Sequence, residues 1–230
     1  MAYKTDVVEY SANDDTASKY ASLSLVPRHC FLLVAALAAI ATARADALYG
    51  QNLLAALRAG GFVILMRHAS SPLTAPDAAI ADPDNVQHER QLDDSGRTAA
   101  LAFGESLRRL HIPIGQVLSS PTYRALETVK LARLGQAKTF PQLGDSGQSM
   151  LADQSGVRAA WLRAKIAEPP GSGKNTIIVT HLPNILEVFP GGAPGLADGE
   201  ALILRSEGQR QFGVVARMKI SDWTQLDAQH

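Results

Sequence analysis

The 230-residue chain reads as an α/β protein, a three-layer sandwich around a mostly parallel central sheet. Three observations predict this. Two short uninterrupted apolar runs, at 62–66 and 176–180, have the length and β-branched character of strands buried on both faces. Amphipathic stretches at helical spacing alternate with them. Each run also stops abruptly in polar residues, Arg67-His68 after the first and His181 after the second. That is where open α/β sheets bind ligands, beyond the carboxyl ends of their strands.

The elements follow in order. Residues 51–58 form a short helix, stopped by Gly60-Gly61. After the first buried strand comes a loop rich in Pro, Asp and Ala, from Ser70 to about Arg90. Asp93 can cap a helix that reaches Leu110, with Ala100, Phe103, Leu107 and Leu110 on one face. Residues 116–119 are the next strand. Ser120-Pro121 then opens a helix, with Ser as N-cap and Pro at the first helical position. A short strand at 138–140 and a long loop at 141–156 lead to a helix whose apolar face is Val157, Ala160, Trp161 and Ala164. A turn at 169–175 precedes the second buried strand. Residues 201–205 and 212–220 close the sheet, the last at its edge.

The N-terminus is organised differently. Residues 31–43 are mostly apolar, too short a run to span a bilayer, which needs about 20 residues. Arg28 precedes the run and Ala43-Arg44-Ala45 closes it. The pattern is that of an export signal cut before Asp46. The expected organisation is a leader over 1–45 and one domain over 46–230, periplasmic or secreted and not held in a membrane after cleavage. The only cysteine, Cys30, lies in the leader, so the domain must rely on its core rather than on disulfides. Lys and Arg number 22 against 22 Asp and Glu, which argues against a nucleic-acid partner.

Two arginines and two histidines share the expected binding rim: Arg67, His68, Arg124 and His181. Arg124 lies one helical turn past Ser119-Ser120-Pro121 and can reach back over the same edge. Guanidinium forks and a helix N-terminus suit the oxygens of a dianion. A neutral imidazole can attack phosphorus and later leave. Neighbouring arginines should hold its pKa below the usual value of about 6.5 and keep it unprotonated. His88, His111 and His230 match no metal spacing and read as solvated, although His88 could still approach substrate; Glu127 reads as a helix-surface charge. Gly171-Ser172-Gly173-Lys174 is no phosphate loop, because it precedes a strand where a true one follows it.

Four ordered pieces carry a resemblance: Leu65-Met66-Arg67-His68-Ala69, Leu92-Asp93-Asp94-Ser95-Gly96-Arg97, the segment from Ser119 to Thr128 (SSPTYRALET), and Val179-Thr180-His181. Together they resemble the histidine phosphatase superfamily, whose fold is that of phosphoglycerate mutase, over about residues 50–205. The resemblance implies that His68 is the nucleophile and forms a phosphohistidine. It implies that Arg67 and Arg124 clamp the phosphoryl oxygens and that His181 completes the pocket as a hydrogen-bond donor. No metal or cofactor is implied. For the proton donor the sequence departs from the family: Leu182 stands where one branch has Asp after the second histidine. Asp145, in Leu143-Gly144-Asp145, is the preferred substitute for the glutamate of the other branch, and Glu200 is the alternative.

The expected function is hydrolysis of phosphomonoesters or phosphoramidates on a small phosphorylated substrate or a phosphoprotein. Mutase activity is disfavoured, since it needs a site that excludes water. The rival expectation is a catalytically weak module of the cell envelope that binds a phosphate ligand.

Overall fold

The computed structural model describes residues 47–145, 155–191, 193, 195–208 and 211–228. The leader expected over 1–45, with its apolar core at 31–43, and His230 lie outside the described residues.

Helix α1 (Gly50–Ala59) leads into β1 (Phe62–Arg67). Then come α2 (Asp94–Arg109), β2 (Ile114–Ser119), α3 (Tyr123–Leu131), β3 (Lys138–Thr139) and a 3-10 turn at Pro141–Leu143. Helix α4 (Ser155–Ala167), β4 (Asn175–Thr180) and α5 (Leu182–Val188) follow, and β5 (Ala201–Gly208), β6 (Gln211–Met218) and α6 (Ile220–Ala228) complete the domain. The sheet has the order β3-β2-β4-β1-β5-β6. The first four of these strands run parallel; β5 is antiparallel to β1, and β6 is antiparallel to β5.

The uninterrupted apolar strands have a direct cause in this layering. Along β1, Ile64 and Met66 enter one core while Val63 and Leu65 enter the other. The first core packs α1, α2, α3 and α6 through Leu54, Phe103, Val129 and Trp223. The second packs α4 and α5 through Leu162, Ile166 and Ile185. With both faces covered, no position of the strand can be polar at low cost.

At the edge of the sheet away from the histidines, the strands are tied by Asn175. Its Oδ1 accepts from Phe62 N at 3.1 Å, and its Nδ2 donates to Leu57 O at 2.8 Å and Pro113 O at 3.0 Å. The side chain is fully buried. It thereby joins the starts of β1, β2 and β4, and a register shift between Ile114 and Gln116 adjusts β2 beside it. Gly60 sits at the same edge with φ +82°, and a Cβ there would come within 2.5 Å of the Gly173–Lys174 backbone.

Three expectations need correction. Ser120-Pro121 does not begin α3: the helix starts at Tyr123, after Thr122 as N-cap. The Ser120 hydroxyl accepts from Thr122 N at 3.2 Å, donates to Thr122 Oγ1 and accepts from His181, so it fixes the turn before the helix rather than its first turn. The buried face of α4 is Ala159, Leu162 and Ile166, while Val157 is exposed. Both stripes have helical spacing in this Ala-rich helix, and packing against α5 and β5 selects between them. Finally, β6 stops at Met218, and the chain turns into α6, whose Trp223 and Leu226 are buried.

Candidate active site

The carboxyl ends of β1, β2 and β4 meet at one rim. The His68 N–H bonds Thr180 O at 3.0 Å and the Ser120 N–H bonds Val179 O at 2.9 Å, so the ladders continue past the strand ends and fix the residues beyond them. His181 is the residue after β4 and the N-cap of α5, with Pro183 in the first turn. The sequence Ser-Ser-Pro-Thr-Tyr-Arg-Ala-Leu-Glu-Thr places Arg124 and Thr128 four residues apart, on one face of α3. The Thr128 hydroxyl donates to Arg124 O at 2.8 Å and accepts from Ala69 N at 3.1 Å. One helix face thus supplies a guanidinium to His68 and a fixed acceptor to the residue after it.

The ring of His68 is 3% exposed. Its Nδ1 lies 2.8 Å from Ala69 O, and because a carbonyl only accepts, Nδ1 carries the proton. Nε2 is therefore the bare nitrogen, and it accepts from Arg124 Nε at 3.2 Å. Burial, with help from Arg124, Arg67 and Arg90, lowers the His68 pKa to about 4, against the opposing pull of the Ala69 carbonyl. The expected direction holds, but burial exceeds the arginines as its cause.

His181 is 1% exposed and has the opposite tautomer. Its Nδ1 accepts from Arg124 Nη2 at 3.1 Å, so Nε2 bears the proton and donates to Ser120 Oγ at 2.9 Å. Burial and then Arg124 lower its pKa to about 2. The two rings stand 5.2 Å apart in an edge arrangement. In this state the His181 proton serves Ser120, so donation to a ligand through Nδ1 requires a second proton.

Arg124 is 1% exposed. Burial weighs against its charge and Arg90 adds repulsion, while Asp145 and Glu89 support it. Asp145 accepts from Arg124 Nη2 at 2.6 Å, so the structure brings this carboxylate into the cluster. The loop that delivers it is fixed by Asn184 of α5, whose Nδ2 donates to Gly144 O at 3.1 Å and Gln142 O at 3.3 Å. Arg67 donates from Nη1 to Leu196 O at 2.9 Å and pairs through Nη2 with Asp198 at 2.5 Å. Burial raises the Asp198 pKa against the opposing effect of Arg67. Among the described residues, Arg158 Nε on α4 is one guanidinium nitrogen buried without a hydrogen-bond partner, and the rim has two more, Arg67 Nε and Arg124 Nη1. Buried donors of this kind are costly, and an anion that accepts from both removes the cost.

Glu200 is placed differently. Its carboxylate pairs with Arg217 of β6 and accepts from Ala197 N at 2.8 Å. The carboxylate braces the loop before β5, and burial, which would raise its pKa, is outweighed by Arg217 so that the pKa is lowered. Glu127 is no surface charge: it is 4% exposed, pairs with Arg97 at 2.5 Å and accepts from Leu92 N at 2.8 Å. His88 and His111 are exposed. Gly96, in the Leu-x-x-x-Gly-Arg piece, abuts the chain just after His68, where a Cβ would lie 2.1 Å from Ser70 O. Sequence reasoning passed over Ser120, Thr122, Asn184 and Asp198 as site residues. The spacing of Ser120 to the Arg124 turn carried a signal for the first two, whereas nothing in sequence distinguishes Asn184 or Asp198. Among the described residues, no cluster of three or more His, Cys, Asp or Glu is arranged to hold a metal ion.

Comparison with solved structures found several likenesses. The structure of the protein histidine phosphatase SixA complexed with tungstate superposes with a TM-score of 0.51 at 20% identity, covering 70% of this chain and 98% of that one. A phosphoserine phosphatase from Entamoeba histolytica, in complex with phosphoserine, gives 0.46 at 12% identity, covering 70% and 98%. A mycobacterial glucosyl-3-phosphoglycerate phosphatase gives 0.44 at 16% identity, covering 69% and 96%. No curated protein matches the chain. The fold is the expected phosphoglycerate-mutase-like sandwich. From residue 63 to residue 145, which takes in Arg67-His68, Arg124 and Asp145, the chain matches the family model described as Histidine phosphatase superfamily (branch 1).

Proposed function

We propose that the protein is a phosphatase that hydrolyses phosphomonoesters or phosphoramidates through a phosphohistidine on His68. The observation that carries this reading is the His68 tautomer: Nδ1–H is held by Ala69 O, and the bare Nε2 faces Arg124. The Nε2 lone pair attacks phosphorus, and the bond to the leaving oxygen or nitrogen breaks. Arg67 Nε and Arg124 Nη1 donate to the phosphoryl oxygens, where charge spreads in the transition state. The leaving atom takes a proton from Asp145, and the carboxylate then accepts one from the water that attacks the phosphohistidine. The N–P bond breaks, orthophosphate departs and His68 is restored. Once the phosphate dianion is bound beside His181, its charge favours protonation of Nδ1, which then donates to the phosphate.

Export belongs to the same proposal. The apolar run at 31–43 and Ala43-Arg44-Ala45 support cleavage before Asp46 and action on a compact phosphorylated substrate, or a phosphoprotein surface, outside the cytoplasm. A mature N-terminus at Asp46 in protein recovered from the cell exterior is the expected result.

The rival reading, a phosphate-binding module, is favoured by one observation: the Asp145 carboxylate is engaged by Arg124 at 2.6 Å. The deciding experiment incubates the purified full chain with radiolabelled acetyl phosphate and quenches in alkaline detergent, where phosphohistidine survives. Label on the parent and none on His68→Asn supports the phosphatase. An unlabelled parent that still binds orthophosphate establishes the module.

A further inference from the structure

We propose that Arg90 is a third phosphate-binding guanidinium of this site, held over it by Asn85 and Glu89. The inference rests on the phosphatase reading above and names a residue that the sequence motifs do not mark.

Arg90 lies near the end of the loop between β1 and α2, a stretch without helical or strand periodicity. The structure nevertheless builds the segment 89–92 residue by residue. Asn85 is 2% exposed, donates from Nδ2 to Glu89 O at 2.7 Å and accepts from Glu89 N at 2.9 Å. Gln91 O accepts from Ser71 Oγ at 2.8 Å, and Leu92 N is held by Glu127. Glu89 reaches forward to α3, where its Oε2 accepts from Tyr123 N at 3.0 Å, one residue before Arg124. A loop tied at 89, 91 and 92 restricts the side chain of the residue between them.

The side chain of Arg90 is fixed on the stretch that follows His68. Its Nε donates to Pro72 O at 2.5 Å and its Nη2 to Ser71 O at 3.1 Å. Nη1 has no hydrogen-bond partner among the described residues. Its charge bears on His68, His181, Arg124 and Asp198, and it is the strongest charge acting on Arg124. Three guanidinium charges therefore act on one pair of buried imidazoles. Such an accumulation of charge is unfavourable by itself and becomes favourable when a dianion enters among them. Arg67 and Arg124 each have an aspartate partner at 2.5 and 2.6 Å, while Arg90 is held only by neutral carbonyls. Arg90 thus has no ion-pair partner among the described residues, although the Asp198 carboxylate also feels its charge. Glu89 and Asn85 are positioning residues, since they act through Arg90 and the start of α3.

The test compares the full chain with Arg90→Met and Arg90→Gln, using para-nitrophenyl phosphate as substrate and orthophosphate as inhibitor. Gln retains a donor for the Ser71 and Pro72 carbonyls but not the charge. Both variants should raise the orthophosphate inhibition constant about 10-fold and lower kcat/KM about 30-fold, with loss in kcat as well as KM. The thermal midpoint of Arg90→Gln should stay within about 3 °C of the parent. Arg90→Gln with parent-like inhibition and turnover overturns the proposal and leaves Arg90 as a loop tie. If Arg90→Met does not fold, Arg90→Gln alone decides. A parent that neither turns over nor binds orthophosphate defeats the phosphatase reading itself, which is a different outcome.

Discussion

The parallel strands β1, β2 and β4 and the antiparallel pair β5 and β6 form two halves of the sheet that serve the same rim. Strands β1, β2 and β4 reach it with their carboxyl ends and deliver Arg67-His68, Ser119-Ser120 and His181. Strand β5 reaches it with its start, Ala201 beside Met66, and delivers Glu200, with Arg217 from the end of β6. Both halves bring charged groups, but they use them differently. On the parallel side Arg67 and Arg124 each keep a buried N–H that is unpaired among the described residues. On the antiparallel side Glu200 and Arg217 are paired with each other. An ion pair that satisfies itself is a brace, whereas binding and catalysis need donors with nothing yet to hold.

That contrast can be broken experimentally. Arg124→Ala should lower kcat/KM by about 10²–10³-fold, the scale of losing a donor to developing charge. Arg217→Ala should lower the thermal midpoint and leave kcat/KM within about 3-fold, since it touches no proposed ligand. Steady-state kinetics and thermal melts of both variants check this, and a reversed pattern would remove the distinction.

Acid comes next in size. Both histidines are held neutral, with pKa values lowered to about 4 and about 2, while in the unfolded chain they titrate near 6.5. The unfolded state therefore binds protons first. The associated stability is complete above about pH 6.5 and is lost as the pH falls toward 4, on the order of 3 kcal/mol for His68. Melts at pH 7.5 and 4.5 should show a smaller acid shift in the double variant His68→Asn, His181→Asn than in the parent. An identical shift in both would show that the buried imidazoles are not its source.

The smallest effect sharpens the comparison between the two rim carboxylates. Asp145→Asn should cost about 10-fold in kcat on alkyl phosphates, whose leaving oxygen needs a proton, and less on an activated aryl phosphate. Equal losses on both substrates would assign Asp145 to positioning Arg124 instead.

The difference between the halves also explains what the sequence could convey. The strands of the parallel half are buried on both faces, so they stand out as apolar runs, and their tips are marked by the abrupt change to Arg-His or His. Arg124 was legible through its spacing from the end of β2. Among the carboxylates, Asp145 and Glu200 were named only through the family resemblance and Asp198 not at all, because all three lie in loop segments and only their partners tell a brace from a site group. Glu127 looked solvated because its burial depends on Leu92 and Arg97, some 30 residues away in the chain. Arg90 was silent for the same reason, since a loop fixed by Asn85, Glu89 and Glu127 has no periodicity to read.

Asn175 gives the histidines a common baseline. Strands β1, β2 and β4 are six residues each, roughly 20 Å at the usual rise, and all start from that one side chain. The β1 ladder runs without a shift to Arg67 opposite Thr180, while the register shift at Gly115 takes up one residue of β2 and sets Ser119 opposite Val179. The three strands behave as struts of matched length, whose tips meet only because their feet are pinned together. A slip of one residue at the pinned end would turn the far side chains to the opposite face. The alignment of two imidazoles is thus set at the end of the sheet that no substrate reaches.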